Sequence, residues 1–274
     1  MRAVLQNLLG RILRPKPEGL ALRPLDLGPA PLYVIGDLHG CLAQLQGLCE
    51  IIKQDAAQYS ARPKLLFLGD MIDRGPQTSG VLDYLLSRPL WADLLCLRGN
   101  HEEMMLAFLK APRRNLAWLD YGGFETLRSY GLALPPAELR QLSDRRAQQI
   151  LLAHIPHDHI DFLHNLPHGH YADLGGERWV FTHAGYDPAR PLSAQSPADL
   201  LWARHFSSHR DSATTRLVFG HFVQETIDLQ QKWIGIDSGA YLTGCLTALR
   251  LTAEGPPRAL QYKAKAFLNV DDNE

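Results

Sequence analysis

The sequence predicts an α/β fold in which two mixed β-sheets lie face to face with helices outside. Three observations predict it. Between Leu32 and Leu109, short apolar runs alternate with segments whose apolar residues recur at helical spacing, the pattern of parallel strands joined by crossover helices. From Trp179 to Thr252 apolar runs return without regular helices between them, which points to a second, more antiparallel sheet. Between these halves, 111–170 has a different composition, with Gly122-Gly123, Pro135-Pro136 and many histidines, and reads as a mostly helical insertion over one edge of the core.

Taken in order, the chain opens on Met1–Arg14, where Val4, Leu5, Leu8, Leu9 and Ile12 follow helical spacing. Gln6, Asn7 and Arg11 interrupt the apolar run and no small-residue cleavage site follows, so a short amphipathic helix is expected rather than a secretory signal. It would pack on the domain or on a partner. Pro15–Pro31 reads as an irregular connector, which makes 1–31 an N-terminal appendage to a single domain at 32–270. Leu32–Ile35 is a buried strand ending at Gly36-Asp37; Leu42, Leu45, Leu48, Ile51 and Ile52 mark a helix over much of 41–58. Lys64–Leu68 is a second strand, Val81, Leu82, Leu85 and Leu86 a second helix, Leu94–Leu97 a third strand, and Met104, Met105, Phe108 and Leu109 a third helix. In the insertion an amphipathic helix is expected near 137–153. The later strands are Trp179–Phe181, Leu217–Phe219, Trp233–Ile236 and Leu246–Thr252.

Bulk properties exclude several classes. The 274 residues carry 28 basic and 29 acidic side chains, a balance that calls for neither nucleic acid nor an anionic membrane. No apolar run approaches the ~18 residues of a membrane span. Cys41, Cys49, Cys96 and Cys245 form no Cys-x-x-Cys pair, so a zinc ribbon is not expected; apolar surroundings suit free thiols in the reducing cytoplasm.

The chemistry is carried by short motifs that each follow an apolar strand: Gly36-Asp37-Leu38-His39-Gly40, Gly69-Asp70-Met71-Ile72-Asp73-Arg74-Gly75, Gly99-Asn100-His101-Glu102, Thr182-His183-Ala184-Gly185 and Phe219-Gly220-His221. Residues just beyond the carboxyl ends of strands converge on one crevice. Asp37 and His39 can hold one cation, Asn100, His183 and His221 a second, and Asp70 can bridge them because a carboxylate has two oxygens to share. Carboxylate, imidazole and amide oxygen without thiolate suit Mn²⁺, Fe²⁺ or Zn²⁺. Water held between two such ions loses a proton near neutral pH and becomes a nucleophile toward phosphorus. Arg74, and Arg204 in Leu201-Trp202-Ala203-Arg204, are candidates to grip phosphate oxygens in bidentate fashion, and Arg98 is a third at the same mouth. His101 is placed as general acid, with Asp73 on its other ring nitrogen. The histidines between His154 and His170 are broken by Pro156 and Pro167 and are expected to form a solvated face rather than a metal cluster.

This ordered set resembles the phosphoprotein phosphatase family of metallophosphoesterases, in its bacterial and phage branch of serine/threonine type. The resemblance spans roughly Leu32 to Thr252, and Leu201–Arg204 and Tyr121–Thr126 are similar to bacterial members. It implies a calcineurin-like metallophosphoesterase fold; Asp37, His39, Asp70, Asn100, His183 and His221 as ligands to two divalent ions, manganese first; His101 and Asp73 as the acid pair; and Arg74 and Arg204 on phosphate. It further implies one-step hydrolysis of a phosphorylated protein or peptide, with small phosphoesters as further substrates and no phosphoenzyme. Symmetrical dinucleoside tetraphosphatases of the family typically carry Gln at the position of His39 and lack the Asp-Arg-Gly form, so His39 and Asp73 favour the protein-phosphatase group. A dinucleoside polyphosphate or RNA-cap pyrophosphohydrolase on the same core is the alternative. A non-catalytic binding protein would need a missing ligand or acid, and none is missing.

Overall fold

The structure, a computed structural model, describes residues 22–132, 135–202 and 215–267. The apolar stripe from Val4 to Ile12, and Arg204, lie outside the described residues. Ten described strands form two five-stranded sheets. The first holds β2 (Leu32–Ile35), β3 (Lys64–Phe67) and β4 (Asp93–Cys96) in parallel, with β9 (Cys245–Leu251) antiparallel to β2 and β10 (Arg258–Lys263) antiparallel to β9. The second runs β1 (Leu22–Pro24), β5 (Gly169–Leu174), β6 (Glu177–Thr182), β7 (Thr215–Phe219) and β8 (Trp233–Gly235).

β2 is buried along its whole length, which is why it reads as a continuous apolar run rather than an alternating one. Its Leu32 and Val34 point between the sheets, where they meet Leu66, Phe181, Val218, Ile234 and Leu249; each such fully buried side chain contributes about 1.5–3 kcal/mol. Tyr33 and Ile35 point the other way, onto α1 (Leu42–Ala56), α2 (Thr78–Leu86) and α3 (Asn100–Lys110). α1 buries Leu45, Leu48, Cys49, Ile52 and Ala56, the i, i+3, i+4, i+7 stripe of a helix lying on a sheet. The same core continues into the helices between Pro112 and Asn165, through Trp118, Leu127, Leu151 and Leu163. Those helices include α4 (Phe124–Ser129), α5 (Pro136–Gln141), α6 (Asp144–His154) and α7 (His157–Asn165); the helix expected near 137–153 is two, broken at Leu142-Ser143, where Ser143 caps α6 by accepting the Arg146 N–H.

Three departures from the sequence reading have physical causes. The second sheet is not mainly antiparallel: β6, β7 and β8 run parallel, and only β5–β6 is an antiparallel pair. The connections from Thr182 to Thr215, which carries a short helix at Pro197–Leu201, and from Phe219 to Trp233 are long enough to cross over. β9, the last strand read for the second half, pairs with β2 instead and joins the first sheet. β1 lies inside the expected connector; its three residues sit on a sheet edge, where Pro24 costs no ladder bond.

Candidate metal centre

The carboxyl ends of β2, β3 and β4 from one sheet and of β6, β7 and β8 from the other meet at one place, and every motif follows one of them. Close approach of these loops constrains the backbone. Gly69 has φ +104°, and a Cβ there would come within 2.5 Å of the Gly99 amide nitrogen, so the loops after β3 and β4 pack directly on each other. At Gly220 a Cβ would collide with the Asp37 carboxylate. Six non-glycine residues among those described have positive φ, and five of them are His39, Asp70, Asp73, Arg74 and His221. Strain of this kind persists only where the surroundings over-determine it.

The side chains converge. His39 donates Nδ1–H to the Ile72 carbonyl at 2.8 Å, and His183 donates Nδ1–H to the Leu68 carbonyl at 3.1 Å. Each ring therefore presents the Nε2 lone pair inward, the tautomer a metal ligand needs. Asp70 Oδ2 stands 3.6 Å from His39 Nε2 and 3.4 Å from His183 Nε2, between the two rings. Asn100 Oδ1 is 2.7 Å from His183 Nε2 and 2.9 Å from His221 Nδ1. Asp37 accepts the His221 backbone N–H on Oδ2 at 2.9 Å, while its buried Oδ1 has no partner. Among the described residues, two groups can gather around a metal ion: His39, Asp70 and His101, and Asp70, His183 and His221. Asp70 is common to both.

The donor set fits two cations. Asp37, Asp70 and Asp237 are all at most 2% exposed, and the Arg74 guanidinium is close enough to oppose the rise at both Asp37 and Asp237. Burial, then the Asp237 and Asp70 carboxylates, push the Asp37 carboxyl well above its usual range, and burial lifts Asp237 to about 6. Burial, then His101, hold His39 well below the usual imidazole range, and burial, then His183, bring His221 down to about 4. For Asp70 burial acts upward, but the His183, His101 and His39 rings win and hold the carboxyl well below normal. Buried carboxyls beside the His39 and His221 rings, both held below the usual imidazole range, leave the pocket short of positive charge, and divalent ions at these donors would satisfy it.

A second constellation adjoins the first. Asp73, fully buried, accepts from His101 Nδ1 at 2.7 Å, Trp118 Nε1 at 2.7 Å and the Thr126 hydroxyl at 2.6 Å. Burial raises its carboxyl, yet three donors and no acceptor around it place the shared proton on His101. Burial alone would lower the His101 ring, but Asp70 and Asp73 raise it. Arg74 Nη2 lies 3.3 Å from His101 Nε2, and Nη1 donates to the Tyr241 hydroxyl at 2.6 Å with the guanidinium 4.6 Å from that ring's centre. With Nδ1–H held by Asp73, the His101 ring turns Nε2 toward the site, where it can hold or give a proton.

Nine of the eleven residues singled out thus meet at one site: Asp37, His39, Asp70, Asp73, Arg74, Asn100, His101, His183 and His221. Arg204 lies outside the described residues; the helix that leads toward it, α8 (Pro197–Leu201), is followed by Trp202, whose ring is 6.4 Å from His221. Arg98 is turned away from the mouth. It binds Glu103 at 2.7 Å and the Leu163 and His164 carbonyls at the end of α7. The His154–His170 stretch enters neither metal group: His159 bonds Tyr130 and Asp83, and His170 the Arg23 carbonyl.

Two residues gain roles that the sequence reading did not give them. Glu102 ended a quoted motif without a function. Its carboxylate accepts the N–H groups of Asp70, Met71, Ile72 and Gly99 and clamps the loop after β3 to the start of α3. Asp237, in the loop after β8, is buried beside Asp37 and Asp70. Only an acid following an apolar strand signalled it.

Comparisons with known proteins agree on the chemistry class. The calcineurin-like phosphoesterase family profile matches residues 30–245. The chain is 29% identical over 227 residues to serine/threonine-protein phosphatase 1 of Salmonella typhimurium, covering 80% of this chain and 91% of that one. It is 24% identical over 265 residues to an asymmetrical bis(5'-nucleosyl)-tetraphosphatase of Anoxybacillus flavithermus, covering 87% and 98%. A solved serine/threonine phosphatase of Saccharomyces cerevisiae, similar to human phosphatase PP5, shares the fold with a TM-score of 0.55 at 14% identity, covering 98% and 90%. One relative is named for protein and the other for dinucleotides, so the substrate has to be argued from the site.

Proposed function

This chain belongs to the calcineurin-like phosphoesterase family, and on that premise we propose that it falls within the phosphoprotein-phosphatase group and is a cytoplasmic serine/threonine protein phosphatase. The observation that carries this reading is the Asp73–His101 pair beside the metal-ligating side chains. A departing serine or threonine oxygen is a strong base and needs a proton as it leaves; a nucleotide phosphate is a weak base and needs little help. A buried, carboxylate-backed imidazole answers the first requirement.

Members of this family use divalent metal ions, and Asp37, His39, Asp70, Asn100, His183 and His221 would hold two here, with Mn²⁺ the first choice and Fe²⁺ or Zn²⁺ the alternatives. Such a pair supplies an activated water and neutralises phosphate charge. The chain's own groups do the rest. Arg74, fixed by Tyr241, holds phosphate oxygens and faces the charge that builds on them. His101 gives its Nε2 proton to the leaving oxygen while Asp73 steadies the imidazolium through Nδ1–H. Arg204 is proposed as the second phosphate grip.

A dinucleoside polyphosphatase is the second reading, favoured by the exposed rings of Tyr121 and Trp202, on which a base could stack. Rates on phosphoserine, phosphothreonine and phosphotyrosine peptides and on diadenosine tetraphosphate, with each metal added to stripped enzyme, decide between them. Faster turnover of the serine and threonine peptides supports the proposal, and preference for the dinucleotide contradicts it.

A further inference from the structure

A cleft of about 770 Å³ lies away from the metal centre, along β4, the end strand of the first sheet among the described residues. One wall is β4, the end strand. Asp93 and Leu97 donate their backbone N–H groups to Pro63 and Phe67, so strand alternation turns the peptide groups of Leu94 and Cys96 away from β3 and toward the cleft. The opposite wall is α7, which contributes Phe162 and, on its rim, Asp158 and Asp161; Leu85 and Leu166 close the floor. Arg62 and Arg88 also line the cleft, but Arg62 is held by Asp93 at 3.1 Å. An open strand edge beside apolar side chains is a surface that proteins normally cover, often with a helix.

We propose that the chain's own first 21 residues cover it, seating Val4, Leu5, Leu8, Leu9 and Ile12 against Leu85, Phe162 and Leu166. The described residues begin at Leu22, which pairs with Gly169, next to His170 and two residues past Pro167, both on the cleft wall. The chain therefore leaves the fold at the cleft's mouth. A stripe from Arg2 to Leu13 at helical rise is about 18 Å long, and the residues after it reach back up to about 28 Å. β4 and α7 each run about 13 Å, so length and reach both fit. Charge fits as well. Residues 1–21 hold Arg2, Arg11, Arg14 and Lys16 against Glu18 alone, and on a helix Arg2 and Arg11 flank the apolar stripe, where the carboxylate of Asp158 on the cleft wall can meet one of them.

The test is hydrogen–deuterium exchange on the full chain, its Leu5→Asp/Leu8→Asp variant, and a Gln6→Asp control on the opposite side of the stripe. Exchange at 93–97 and 157–166 is expected to quicken at least about tenfold in the double variant and to stay unchanged in the control. A complementary variant, Phe162→Ala, is expected to quicken exchange at 4–12. Equal exchange in all proteins overturns the proposal. Protection that vanishes on dilution also overturns it and assigns the cleft to a second copy. Leu5- and Leu8-dependent sedimentation of the full chain with phosphatidylserine vesicles overturns it in favour of a membrane surface.

Discussion

His101 donates its Nδ1 proton to Asp73 across 2.7 Å, and the receiving oxygen is also bound by the Trp118 indole at the same distance. The acid is thus oriented from inside the protein, and its Nε2, 3.3 Å from Arg74 Nη2, faces the site. His101→Asn is expected to lower turnover of a phosphoserine peptide by about two to four orders of magnitude while metal content stays intact. Steady-state rates with elemental analysis check both halves; unchanged turnover removes His101 from the acid role.

Asp73→Asn keeps an acceptor for Trp118 or Thr126 but loses the charge that favours the imidazolium. Turnover is expected to fall about tenfold to a thousandfold, and the basic limb of the pH–rate profile to move to lower pH. A profile identical to the parent's would show that the pair does not set the acid's strength.

Gly220→Ala places a methyl group where the Asp37 carboxylate stands. The variant is expected to fold and to bind metal more weakly, with about half the parent's content after dialysis, because one ligand is displaced rather than removed. Full occupancy after dialysis would mean that Asp37 is not needed to hold an ion.

Glu102→Gln removes one of two oxygens that together accept four buried N–H groups. The amide nitrogen cannot accept, so two donors go unsatisfied, at a cost of about 2–4 kcal/mol. Urea unfolding of metal-free protein is the check; a loss under about 0.5 kcal/mol would mean that the loop relaxes to satisfy its amides elsewhere.

His170 is 9% exposed and donates to the Arg23 carbonyl; burial holds its ring below the usual imidazole range. Its folded pKa is depressed, so its contribution is present above the unfolded pKa of about 6.5 and is lost as pH falls below it, when the unfolded chain takes up a proton that the folded chain refuses. Unfolding free energy is expected to drop less between pH 7 and pH 5 in His170→Gln than in the parent. Parallel curves would refute this.

Much of this was legible in the sequence because function and fold share a signal. A ligand that must stand at a strand's end follows an apolar run, as Asp37 follows Leu32–Ile35 and Asp70 follows Lys64–Phe67. The same logic failed for the second sheet. Strand direction there depends on where the connections after His183 and His221 travel, and loops without periodicity carry no such information. Trp118 was equally hidden, since a tryptophan in a helical insertion reads as core until its indole N–H is seen on Asp73. Arg98 shows the opposite error: a position next to Gly99 suggested phosphate, while the end of α7 had already claimed the guanidinium.

The most direct measurement is anomalous scattering from crystals of the metal-stripped protein soaked in manganese. Two peaks are predicted, one against Asp37, His39 and Asp70 and the other against Asp70, Asn100, His183 and His221. A single peak, or peaks that leave Asp70 untouched, would contradict the two-cation account and the phosphatase proposal built on it.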